Sequence, residues 1–213
     1  MTNKMNKMQI SDDPGGWLEF IEQRRTIRSF QSRKIEPHQL ERILQAVRFA
    51  PSAHNRQPWR FAVMTDEPKK QALAKVMGDR LRSDRVADGD EVKVVNEDVA
   101  RSNHRIVSAP VVILCCLTME DMDHYPDDKR NKAEHLMAVQ SVAMAAYNVL
   151  LAAHWEGLGG CWMCAPLFCP DAITKDMNLP EQWMPQALIT LGWADKPPKK
   201  RGRLPLEKVV RFL

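Results

Sequence analysis

Apolar positions along the chain recur with two different periods. From Gly16 onward, Trp17, Phe20, Ile21 and Arg24 return every three or four residues. That spacing predicts an amphipathic helix that lays one stripe on a core and delivers arginines at its end. Pro37 suits a first helical turn, and Leu40, Ile43, Leu44 and Val47 line one face before Pro51 stops the pattern, which predicts a second helix. The period then falls to two. Trp59, Phe61 and Val63 alternate with Arg60, Ala62 and Met64, as in a half-buried strand. Residues 67–105 are densely charged and include Gly78 and Gly89. Ala72, Leu73, Val76 and Met77 form a helical stripe there, and the middle of the stretch reads as a mobile segment.

Val111 to Leu117 is an unbroken apolar run, the pattern of a central strand buried on both faces. The longest helical pattern covers 132–155 and is apolar nearly all round between Leu136 and Ala153. A helix of that kind is buried in the core or against another subunit. Gly157, Gly159 and Gly160 end it in a turn. Ala187, Ile189, Leu191 and Trp193 alternate as a further strand, before a Pro/Lys-rich loop at 195–203 and an exposed C-terminal arm. Residues 1–14 are polar and aperiodic, a loose tail. The organisation predicted is a single α+β domain over 15–213.

Composition narrows the possibilities. A 213-residue chain that is 44% hydrophobic can build a core without disulfides or metal staples. No run of about 18 apolar residues predicts a membrane span, and the first residues lack the apolar middle of a signal peptide. The five cysteines, an odd number, read as reduced thiols of a cytoplasmic protein. The net charge of +4 is spread over basic residues interleaved with Asp and Glu, which argues against a nucleic-acid binder. Six tryptophans against two tyrosines is the one oddity. Trp59 adjoins a polar loop and Trp162 lies in the Gly-rich turn, whereas Trp17, Trp155, Trp183 and Trp193 are assigned to core or interface.

Three clusters could carry chemistry. RRTIRSF places Arg24, Arg25 and Arg28 beside Thr26 at a helix end. Such a group is either a solvated basic face or a phosphate-sized anion site. APSAHNRQPWRF, residues 50–61, holds Ser52, His54, Asn55 and Gln57 in a loop between helix and strand. These amides and hydroxyls either satisfy a turn or present donors and acceptors to a heterocycle. RGRLPLEKVV adds Arg201 and Arg203 near the C-terminus. Gln140 is expected to be a buried amide on an apolar helix, in need of a partner. Cys161, Cys164 and Cys169 have no evident fourth ligand, so no metal is assigned. The remaining histidines are scattered.

Taken in this order, RRTIRSF, a helix, APSAHNRQPWRF, a long apolar helix, a Gly-rich turn, a strand and RGRLPLEKVV resemble the nitroreductase family of FMN-dependent oxidoreductases, over about residues 17–210. GLGGCWMCAPLFCPD further resembles the branch that includes the flavin domain of deazaflavin-coenzyme biosynthesis enzymes. The resemblance implies a mixed or antiparallel sheet flanked by helices, with the long helix at a homodimer interface. It implies FMN as cofactor, NAD(P)H as electron donor and a small organic acceptor such as a nitroaromatic or quinone. Arg24, Arg25, Thr26 and Arg28 would hold the phosphate and ribityl tail, with Arg201 and Arg203 closing over the phosphate. Pro51, Ser52 and Asn55 of the partner subunit and Gln140 would line the flavin. One departure is plain. Family members place Pro-x-Glu-Gly against the central ring, whereas Trp162, Met163, Cys164 and Ala165 occupy that stretch here. Backbone N–H groups of Trp162, Met163 and Cys164 could meet the ring instead, and no catalytic side chain is assigned. The other readings are a flavin carrier or sensor without turnover, and a domain of cofactor metabolism.

Overall fold

A computed structural model describes residues 14–198 and 201–213. The tail expected at 1–14 lies outside the described residues up to position 13, and Pro14 opens the first helix. The elements follow in the order α1 (Pro14–Gln23), α2 (Pro37–Val47), β1 (Trp59–Met64), α3 (Glu67–Ala87), α4 (Val92–Val107), β2 (Val111–Leu117), α5 (Asp128–Trp155), β3 (Gly159–Met163), α6 (Pro170–Asp176) and β4 (Met184–Gly192). The four strands form one sheet, ordered β1-β2-β4-β3, in which every neighbouring pair is antiparallel.

The unbroken apolar run of β2 has a direct cause: both faces of the sheet are covered. Val111, Ile113, Cys115 and Leu117 point toward a layer built from α2 and α5, with Ile43, Val47, Val142, Val149, Ile189 and Leu191. Val112, Leu114 and Cys116 point the other way, to Leu73 and Met77 of α3, Ile106 of α4, Ile173 of α6 and Leu188. Period two on the central strands therefore sorts side chains between two helical layers rather than between core and water.

The middle of 67–105 reads from sequence as a mobile segment, but these residues are regular helix on both sides of a short turn. They belong to α3 and α4, an antiparallel helical hairpin. The break falls at Gly89, whose φ of +90° is the left-handed region that glycine adopts without cost. Charge hid the hairpin, because its outer faces carry intrahelical ion pairs such as Lys75–Asp79 and Arg80–Asp84.

α5 is the helix among the described residues that is long and apolar enough to cross a membrane by length and composition. One side of it packs on the sheet through Ala138, Val142, Ala145, Val149 and Ala153. The other side leaves Leu136, Met144 and Tyr147 exposed, with Trp155 77% exposed at the end. Trp17 and Trp155 are surface residues flanking Phe20, with ring centroids 5.5 and 5.6 Å away. They are therefore outside the core of the single chain.

Candidate functional site

The arginine segment is placed by an unusually close backbone approach. α1 ends at Gln23, the chain extends, and Thr26 forms a parallel bridge to Gly160 of β3. Ile27 N–H donates to the Gly160 carbonyl at 3.0 Å, and the Ile27 side chain is buried over Gly159. A Cβ at Gly159 would stand 2.3 Å from Ile27 Cγ1, so only glycine permits this contact. The two glycines expected to end α5 thus begin an edge strand that seats residues 24–28. Trp162 and Met163, expected in a turn, are the last residues of that strand.

Arg24, Arg25, Thr26 and Arg28 line a cavity of about 260 Å³ together with Arg201 and Arg203 of the C-terminal arm. Two clusters nearly 180 residues apart therefore meet, as the family resemblance implies. The Nε atoms of Arg24 and Arg25 are buried and have no hydrogen-bond partner among the described residues. Arg25 Nη1 is spent on the carbonyls of Glu22 and Arg24. Ten ion pairs occur among the described residues, and none involves any of these five arginines. Desolvated guanidinium donors without an acceptor are costly unless an anion completes them. The residues present fit a phosphate group, which offers acceptors in the geometry that arginine forks match.

His154 stacks on Phe20 at 4.8 Å beside Arg24 and Arg25. Burial, aided by the Arg24 charge, pushes its pKa down, so the imidazole is held neutral more firmly than a free one. Its position was not legible in the sequence, because nothing in the spacing links it to the arginines. Cys161 lies within β3, where burial pushes its thiol up against the opposing pull of Arg28 and Arg105.

The polar loop lies elsewhere. Its backbone takes left-handed conformations at His54, Asn55 and Gln57, with φ of 48°, 54° and 50°. Such non-glycine residues cost of order 1 kcal/mol each, and the surroundings must hold them. Ser52 Oγ accepts from Gln57 N–H at 3.1 Å, Ala53 N–H donates to Ser141 Oγ at 3.3 Å, and Arg56 pairs with Asp123 at 2.5 Å. The loop is thereby pinned to α5 at Ser141, while Pro51 and Asn55 stay exposed and Ser52 is half-buried. His154, by the arginines, is thirteen residues further along that helix, about 20 Å at 1.5 Å per residue. One chain therefore does not bring Pro51, Ser52 and Asn55 onto its own arginine cavity.

Gln140 is not buried. It lies on the outward face of α5 with Leu136, Met144 and Tyr147, because the sheet-facing stripe passes through Ala138, Ser141 and Val142. The buried polar residues of this helix are Glu134 and Ser141. Glu134 Oε1 accepts from Asp123 N–H at 3.1 Å, and its Oε2 has no partner among the described residues. On β3, Trp162 packs toward the α5 layer and Met163 toward the α3 layer. Trp162 Nε1 donates to Sγ of the exposed Cys164 at 2.9 Å.

The structure is thus an antiparallel sheet between two helical layers, with arginines that have no carboxylate partner among the described residues gathered at a sheet edge. The family model described as "Nitroreductase family" matches residues 21–193, and the chain belongs to that family. It is 28% identical over 212 residues, 96% of this chain and 90% of the relative, to a protein of Methanothermobacter thermautotrophicus named "Putative NADH dehydrogenase/NAD(P)H nitroreductase". A 5,6-dimethylbenzimidazole synthase of Rhodospirillum rubrum is 26% identical over 178 residues, 80% of this chain and 78% of that protein. Among solved structures, a "putative nitroreductase in complex with fmn" from Desulfovibrio desulfuricans matches with a TM-score of 0.69 and 25% identity, over 94% of this chain and 96% of that one.

Proposed function

We propose that this chain is an FMN-dependent oxidoreductase of the cytoplasm that takes electrons from NAD(P)H and delivers them to a small organic acceptor, a quinone or nitroaromatic. The observation that carries this reading is the cradle of five arginines, without a carboxylate partner among the described residues, around a cavity of about 260 Å³. Residues 15–213 act as one FMN-binding unit. Arg24, Arg25 and Arg28 hold the phosphate with Thr26, and Arg201 and Arg203 cover it from the arm. The Nε groups of Arg24 and Arg25 gain the acceptors they lack. Bound FMN supplies the two-electron chemistry, which leaves positioning and solvent exclusion to the protein.

The assembly is a homodimer. The outward apolar stripe of α5 needs a cover, and the distance of the 51–55 loop from its own cradle suits a site shared between two copies. Pro51, Ser52 and Asn55 of one subunit would then face the ring held by the other, and Gln140 would present its amide at the join. Trp162, Met163 and Cys164 would edge the ring through their backbone N–H groups.

A second reading, a role in cofactor metabolism rather than general reduction, is favoured by the relative named as a 5,6-dimethylbenzimidazole synthase and by the missing carboxylate between Trp162 and Ala165. NAD(P)H oxidation with a quinone or nitroaromatic separates the two, since a flavin-loaded protein that oxidises neither nucleotide supports the second. The cofactor assignment is tested by replacing Arg24 and Arg28 together with Ala. Losing charge-assisted hydrogen bonds should weaken FMN binding by about 100-fold or more, with riboflavin little affected. Equal loss for both ligands overturns the phosphate assignment, and a monomer at micromolar concentration overturns the shared site.

A further inference from the structure

A second cavity among the described residues is larger than the arginine cradle. A cleft of about 940 Å³ runs between residues 29–34 and the α3–α4 hairpin, within the size range of small-molecule sites. Its lining mixes polar groups with apolar ones such as Phe30, Val99 and Val107. Lys70 reaches it from the first turns of α3, and Asn96 and Asn103 reach it from one face of α4. Lys34, an exposed residue, also lines it.

Lys70 is the informative group. It is 6% exposed, a rare state for a lysine. Its Nζ donates to the Ala109 carbonyl at 2.7 Å, just beyond the C-terminus of α4. A purely structural clamp on that helix end accounts for one of its three N–H groups, and no other partner of Nζ is found among the described residues. Glu67 and Asp66 act on it electrostatically, but neither forms an ion pair with it; Glu67 accepts from Gln71 at 2.9 Å instead. Burial pushes the Lys70 ammonium below the usual lysine range, the response of a charge whose solvation is incomplete. Arg82, also in the lining, is already committed to Asp79 and Asn96. The free positive charge of the cleft is therefore concentrated on Lys70 and Lys34.

We propose that this cleft is a second ligand site, separate from the arginine cradle, that takes a small phosphate-bearing organic anion of the nucleoside-monophosphate kind. Its phosphate sits on Lys70 and Lys34, and its heterocycle lies along Asn103. The amide offers a donor and an acceptor on one edge, the pattern that a base edge matches. The cleft exceeds what a bare phosphate fills, which is why the ligand has an organic body.

The test is calorimetric titration of AMP, with inorganic phosphate in parallel, into protein saturated with FMN so that the arginine cradle is filled. One AMP per chain is expected, undiminished by FMN. Lys70→Met should weaken it about tenfold or more. Asn103→Leu should weaken AMP severalfold and leave phosphate unchanged. If Lys70→Met does not fold, Lys34→Gln, at an exposed position, carries the same expectation with a severalfold loss. No AMP binding at millimolar concentration overturns the site. Displacement of AMP by FMN overturns its separateness. Phosphate binding as tightly as AMP, with no effect of Asn103→Leu, overturns the nucleotide assignment.

Discussion

Replacing Gly159 with Ala tests whether one backbone contact builds the cradle. The added Cβ would lie 2.3 Å from Ile27 Cγ1 and 2.6 Å from Ile27 Cβ. Ordinary contact begins near 3.4 Å, so the arginine segment must retreat from β3 by about 1 Å. That displacement stretches the 3.0 Å bond from Ile27 N–H to the Gly160 carbonyl beyond hydrogen-bond range. Overpacking costs about 1–3 kcal/mol and the lost bond about 1 more. For a chain of this length the total lowers Tm by about 5–15 °C. Differential scanning fluorimetry reads that fall, and a flavin fluorescence titration reads a parallel loss of FMN affinity, because Arg24, Arg25 and Arg28 move with Ile27. Ile27→Gly removes the three atoms nearest to the new methyl, at 2.3, 2.6 and 3.0 Å. The double variant should therefore recover FMN binding while keeping the stability deficit of a lost isoleucine. Unchanged Tm and FMN affinity in Gly159→Ala alone would refute the reasoning.

The thiols and the half-buried imidazole of His154 give two further predictions. Burial pushes the Cys116 thiol up to about 12 and Cys115 well upward, and Cys161 and Cys169 are also raised, whereas Cys164 is exposed. Iodoacetamide at pH 8 should label Cys164 first and the other four only on unfolding, as read by peptide mass spectrometry; rapid labelling of Cys115 or Cys116 contradicts the burial. The lowered pKa of His154 means the unfolded chain binds its proton more readily than the folded one. Its contribution to stability is present above the ordinary histidine value near 6.5 and is lost as pH falls through the folded value. Phe20 packs on one side of the ring and Arg24 repels its charged form, so His154→Gln should flatten the decline of Tm below pH 6.5. An identical pH profile in the variant would show that another group is responsible.

Much of the fold was legible because local chemistry and tertiary packing agree. Pro37 opens α2 and Val47 closes it, as the proline signals required, and the run from Val111 to Leu117 is the doubly covered strand that its composition described. Where reading failed, a distant contact had overridden a local signal. Gly159 and Gly160 look like a turn because glycine weakens strands, yet Ile27 demands a missing side chain at one of them. Gly78 looks like a break, yet it lies inside α3, where an added Cβ would meet Val99 Cγ1 at 3.0 Å across the hairpin. Gln140 looked buried because the apolar pattern of α5 runs nearly all round, and a pattern does not say which molecule covers each face. For the site, charge alone marked both arginine clusters. Their meeting depends on β3, the strand that was not read.

The segment that carries the cradle has another consequence. β3 is the edge of the sheet, and its start is covered on the outer side by the Thr26 bridge to Gly160. Open edges are templates for pairing with other chains, and this one continues into Cys161, Trp162 and Met163, an apolar strand. Residues 24–28 therefore shield the sheet from self-association while gathering charges that repel one another. An anion in the cavity would relieve that repulsion and hold the shield in place, so on the proposed function ligand loading and resistance to aggregation would rise together.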